Sequence, residues 1–219
     1  MLMTENEVID ATADFVKTAL QNAEGGHDWW HIERVWKNCL TIARSEKANL
    51  FVVTLAALLH DIADSKFNNG DEEIGPIKAR QFLQSLNVEN ATIDHVEKII
   101  CNISFKGGNF KTAFFSPELA VVQDADRLDA LGAIGIARAF NYGGYKNREL
   151  YNPQIAPNMS MTKEVYKNAS APTINHFYEK LLLLKDKMNT ITGKQMAEER
   201  HLFMQSYLDQ FYREWEGEK

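Results

Sequence analysis

Apolar residues recur at helical intervals along almost the whole chain, and the two-residue alternation of a half-buried strand is nearly absent. Val8, Ile9, Phe15, Val16, Ala19 and Leu20 fall on one face of a first amphipathic helix, and Gly25 and Gly26 mark its end. From Trp29 to about Arg44, Ile32, Val35, Trp36, Cys39, Leu40 and Ile42 continue the pattern in a second helix. The stretch NLFVVTLAALLHDIAD is apolar around nearly its whole circumference, which predicts a buried central helix. After a turn at NNGD, IGPIKARQFLQSL and ATIDHVEKIICNISF predict two further helices, and the glycines and proline of KGGNFKTAFFSP predict a loop. ELAVVQDADRLDALGAIGIARAF predicts a helix bearing an acidic cluster, with Gly132 and Gly135 permitting close packing or a break. Residues 141–172 gather Gly, Pro, Asn and Tyr and read as irregular, and from Thr173 to about residue 215 two long amphipathic helices are expected to meet at TITG. The pattern predicts an all-α fold: a helical core over about 20–140, the irregular loop, then the C-terminal helices.

Composition narrows the class. With 219 residues and 45% hydrophobic content there is enough apolar mass for one sizeable core, so a single domain over 1–219 is expected. The net charge is −6 and no run of lysine and arginine forms a phosphate-tracking stripe, which argues against duplex nucleic acid as a partner. The N-terminus lacks a basic segment leading into an apolar run, and no stretch approaches the roughly 18 apolar residues of a membrane span, so a soluble, cytoplasmic protein is expected. Cys39 and Cys101 both lie in apolar helical patterns, where a free thiol acts as a small hydrophobe. A thiol enzyme built on either is the weakest of the candidate classes.

The chemistry concentrates where polar residues interrupt apolar helices. LLHDIADSK sets His60 and Asp61 straight after the oily central segment. A charge at the edge of an apolar interior needs a partner, and a divalent cation suits an imidazole beside a carboxylate: Mn, Fe, Ni, Co and Zn all accept that ligand pair. GHDWWHIERV places His27, Asp28, His31 and Arg34 about a helical turn apart, and VVQDADRLDALG crowds Asp124, Asp126 and Asp129, which repel one another unless a cation sits nearby. His31, His60, Asp61 and Asp126, drawn from three helices, form a coherent ligand set.

The order H, then HD, then D resembles the signature of the HD-domain metal-dependent phosphohydrolases. The matching positions are His31 in HDWWHIERV, His60 and Asp61 in LLHDIADSK, and Asp126 in DADRLDALGA. NISFKG, GAIGIARAF and the C-terminal INHFYEKLLLLKDKMNT and AEERHLFMQSYLDQFYREW extend the resemblance over nearly the full chain, to a bacterial subgroup of predicted HD hydrolases. It implies an HD-domain helical bundle with additional C-terminal helices. It also implies one divalent metal ion, manganese favoured over Mg, Ni, Co, Fe or Zn, held by His31, His60, Asp61 and Asp126. Asp64, about one turn beyond His60, is expected as the general base or water-orienting acid, and Lys66, Lys106 and Arg127 as phosphate contacts. Members with two metals carry extra histidines between the HD pair and the last aspartate. Here Asn102 stands in that interval and His95 lies two turns earlier, which argues for one ion.

The subgroup is linked to hydrolysis of nucleoside triphosphates to monophosphate and pyrophosphate, so a nucleotide is the expected substrate. Tyr142, Tyr145 and Tyr151 are available to stack on its base, Tyr145 foremost. A 5'-nucleotidase, a small phosphate-ester phosphatase and a non-catalytic metal- or nucleotide-binding module stand as alternatives. The amphipathic C-terminal helices could support a homodimer.

Overall fold

The computed structural model describes residues 3–21, 23, 26–62, 73–103, 114–159 and 171–218. Among them there are nine α-helices and no strand, the all-α architecture that the periodicity predicts. The chain divides into two compact units, Met1–Asp126 and Arg127–Lys219.

The first unit is organised by its central helix. α1 (Glu5–Ala19) opens on a capping box: Thr4 Oγ1 accepts from the Glu7 amide at 3.3 Å while the Glu7 carboxylate accepts from the Thr4 amide at 2.7 Å. It stops at Ala19, ahead of the two glycines. α2 spans Trp29–Ala43 and α3 spans Leu50–Leu59. Asn49 caps α3 by accepting from the amides of Phe51 and Val52, and the Asn49 amide donates to Glu118 at 2.8 Å. Every residue from Val52 to Leu59 is buried, and α3 packs against α1, α2 and α5 (Asn90–Ile103). α4 (Ile74–Ser85) lies against α5, and a stacked Phe15–Phe82 pair, 4.0 Å between ring centroids, joins α4 to α1. Arg80 of α4 pairs with Asp94 at 2.6 Å and with Glu97 of α5.

The expected helix over NLFVVTLAALLHDIAD is shorter than its apolar pattern. α3 ends at Leu59, with His60 as its C-cap and Asp61 and Ile62 in the turn that follows. Likewise the segment from Glu118 to Phe140 is two helices. α6 is Pro117–Leu128 and α7 is Gly132–Tyr145, separated at Gly132, whose φ of +69° is a left-handed conformation that a side chain would strain. At Gly135 a Cβ would stand 2.3 Å from the Ala130 carbonyl oxygen, so both roles considered for these glycines are used.

In the second unit α7 runs on to Tyr145, five residues into the stretch read as irregular from about 141. Only one long C-terminal helix forms, in place of the two expected. α8 (Thr173–Glu179) is short, a 3₁₀ segment covers Leu181–Lys187, and α9 (Ile191–Trp215) follows, capped by Thr190 through the Gly193 amide. Gly193, Ala197, His201, Met204 and Leu208 form the buried stripe of α9, which packs on α7 and the 3₁₀ segment. Among the described residues no helix is long and apolar enough to cross a membrane.

Candidate metal centre

Three local events place three of the donors. Asp28, the N-cap of α2, accepts from the His31 amide at 2.9 Å and so fixes the turn that carries His31, whose side chain is 1% exposed. At the end of α3 the His60 ring turns back along the helix, and its Nδ1–H donates to the Ala57 carbonyl at 2.8 Å. That bond selects the tautomer with the lone pair on Nε2, the arrangement a ligating histidine needs. Asp61 projects from the turn immediately after, and Asp126 from the last turn of α6.

The four side chains converge within the first unit. His31 Nε2 lies 3.6 Å from Asp61 Oδ2 and 3.5 Å from Asp126 Oδ1, and His60 Nε2 lies 3.7 Å and 4.0 Å from the same two oxygens. The two imidazoles stand edge to face, 5.3 Å between centroids. These separations exceed hydrogen-bond length. Two ligand atoms about 2.0–2.2 Å from a shared ion stand about 3–3.6 Å apart, so the donor set fits a cation with little contraction. The chemistry agrees: two neutral nitrogens and two carboxylates are borderline ligands suited to a first-row divalent ion. Partial burial disfavours the charged form of Asp61. The neighbouring His60, the hydrogen bond from His27, and the nearby His27 and His31 rings outweigh it, holding the carboxyl well below its usual range. Asp61 therefore stays ionised and available as a ligand.

Asp64, Lys66 and Lys106 lie outside the described residues. Arg127 donates from Nη1 to the Lys187 carbonyl at 2.6 Å, which ties part of its guanidinium to the backbone of the second unit. Tyr145 is 67% exposed with Lys146 Nζ 4.9 Å from its ring centroid, and Tyr142 sits under Lys146 and Arg148. Tyr151, expected to be available for stacking, is instead packed edge-on against Phe211, Tyr212 and Trp215, because the chain after α7 folds it onto α9. Asp129, read together with Asp126, takes a different cation: its Oδ2 accepts from Arg138 Nη1 at 2.5 Å. Cys39 is buried, but Cys101 lies on the exposed side of α5, against the apolar reading. Burial, then the nearby Asp126 and Asp124, push the Cys39 thiol well above its ordinary range, which removes the thiolate a nucleophile would need.

His27, grouped with His31 in the sequence but not expected as a ligand, stands at the centre's edge. His27 Nδ1–H donates to Asp61 Oδ2 at 2.6 Å, and its ring lies edge to face with His31 at 5.9 Å. Trp30, next to His31 in the first turn of α2, is 61% exposed. The motif GHDWWHIERV contains both, but only its later histidine matches the four-residue signature.

The HD domain family model matches residues 29–131. The chain is 37% identical over 217 residues to YpgQ of Bacillus subtilis strain 168, across 98% of this chain and 97% of YpgQ. It is similar to the crystal structure of an HD-superfamily hydrolase from Bacillus thuringiensis, with a TM-score of 0.78 at 46% identity over 97% of this chain and 99% of that one. It is similar also to B. subtilis YpgQ crystallised in complex with ADP, with a TM-score of 0.77 at 36% identity over 97% of each chain.

Proposed function

Since the chain belongs to the HD-domain family of metal-dependent phosphohydrolases, we propose that it hydrolyses nucleotides, taking a nucleoside triphosphate to monophosphate and pyrophosphate at a single divalent-metal centre. The observation that carries this reading is the donor set: His31, His60, Asp61 and Asp126 face one point at 3.5–4.0 Å from one another across the His–Asp pairs. The ADP complex of the B. subtilis relative supports a nucleotide as the ligand class.

A divalent cation at this centre supplies Lewis-acid chemistry, lowering the pKa of water and neutralising charge on the phosphoryl oxygens. His31 and His60 contribute uncharged nitrogens, while Asp61 and Asp126 contribute two negative charges that balance a doubly charged ion. The charge of a triphosphate must then be met by other cations, and Lys66 and Lys106 are assigned that role. Asp64 takes the proton from the attacking water. The exposed indole of Trp30, beside His31, offers the face on which a base stacks.

The test is a product assay. Purified protein is incubated with Mn²⁺ and a panel of nucleoside mono-, di- and triphosphates beside an Asp61→Ala control. Pyrophosphate and monophosphate from a triphosphate in the wild type alone is the expected result. Orthophosphate released from monophosphates would make the protein a nucleotidase instead, and turnover undiminished in the control would overturn the assignment of the site.

A further inference from the structure

His27 precedes α2 and belongs to none of the four donor positions, yet it lies nearer to Asp61 than His31 or His60 does. Its Nδ1 lies 2.6 Å from Asp61 Oδ2, whereas the same oxygen is 3.6 Å from His31 Nε2 and 3.7 Å from His60 Nε2. Of these three histidines, only His27 is at hydrogen-bond length. Asp61 sits just past the C-cap of α3, where the i to i−4 ladder has ended, and the χ2 torsion of an aspartate is intrinsically broad. Something has to choose which way the carboxylate faces. From this geometry we infer that His27 is a positioning residue for the metal centre: by donating Nδ1–H to Asp61 it turns Oδ2 toward His31, His60 and Asp126.

Several features support this role over a packing one. His27 and Asp61 are 34 positions apart, so the bond ties the entrance of α2 to the exit of α3, the two places from which His31 and His60 project. The His27 side chain is 23% exposed and borders the centre, outside the apolar core. A carboxylate that ligates a metal is itself commonly hydrogen-bonded, and losing such a partner costs about 10–100-fold in metal affinity or activity. His27, His31 and Asp61 also present ligand atoms within 4.8 Å of one another, so direct ligation by His27 is the rival role that the experiment has to separate.

The inference rests on the metal reading of the site, and the experiment keeps the two apart. Mn²⁺ alone is titrated calorimetrically into the metal-stripped full chain for the wild type, His27→Asn, His27→Leu and Asp61→Ala. Asparagine keeps an amide donor near the position of Nδ1, and leucine removes it. His27→Ala serves as the donor-free variant should leucine not be accommodated. The expected result is a loss of about 10–100-fold in affinity for the donor-free variant, with His27→Asn within about threefold of the wild type and one ion bound per chain throughout. Wild-type affinity without the donor would overturn the inference. So would an asparagine variant as weak as the donor-free one, or a second ion present only in the wild type, since either makes the ring itself a ligand. Wild-type affinity in Asp61→Ala would instead overturn the metal reading.

Discussion

Asp126 is the most open of the four proposed ligands, its side chain 40% exposed against 1% and 2% for His31 and His60, so it can be altered with least disturbance to the core. Asp126→Asn keeps an oxygen donor but removes a negative charge. It should weaken Mn²⁺ binding at least about tenfold while leaving thermal stability close to wild type, measured by calorimetry and melting. Asp64→Asn should lower kcat by about 10²–10⁴-fold with Mn²⁺ affinity unchanged, the signature of a lost proton acceptor without a lost ligand. For Trp30→Ala the expected effect is confined to substrate: KM for a nucleotide rises about tenfold, in line with the worth of one base stack, and KM for a non-nucleotide phosphate ester is unmoved. At this scale His31, His60, Asp61 and Asp126 were legible because each interrupts an apolar helical pattern with a group that needs a partner. His27 was not, because its partner is 34 positions away and only the fold reveals the bond.

The elements matter for the precision of the donors more than for their identity. Asp28 holds the first turn of α2 through the His31 amide, and Asp28→Ala should cost about 1 kcal/mol of stability as a lost N-cap. α3 is the buried axis of its unit, and Leu55, fully buried there, should cost about 2–5 kcal/mol when truncated to alanine, read from denaturant midpoints. Helix existence was plain from periodicity, but helix ends were less so. The apolar run continued past Leu59 with Ile62 in phase, so nothing in hydrophobicity announced that His60 would be a cap. The break at Gly132 was foreseen as one of two options, and its left-handed φ settles which applies. Leu181 to Lys187 carries enough leucine to read as helix, yet Lys180 leaves helical geometry at φ −144° and the segment tightens to 3₁₀.

For the molecule as a whole, acid is the informative stress. Burial, with Lys180 and Arg148 nearby, lowers His176 to about 3, against about 6.5 in an unfolded chain. The unfolded chain therefore binds the extra proton between those values. Its contribution to stability is complete above about pH 6.5 and declines as pH falls toward 3. His176→Gln should lose less melting temperature between pH 7 and 4 than the wild type; equal slopes would contradict that burial. Asp61 works in the same direction, since its lowered pKa gives stability that is present above the ordinary carboxylate range and lost on acidification. The all-α class was legible from the whole chain because one period runs through it, whereas the division after Asp126 was not, since it falls inside α6 where the helical pattern continues unbroken.

The central claim is that His31, His60, Asp61 and Asp126 hold one divalent ion. The most direct measurement is anomalous diffraction from crystals of the full chain loaded with Mn²⁺. One strong peak is predicted, about 2.0–2.3 Å from Nε2 of His31 and His60 and from a carboxylate oxygen each of Asp61 and Asp126. Its absence from that point, with manganese in excess, would contradict the account.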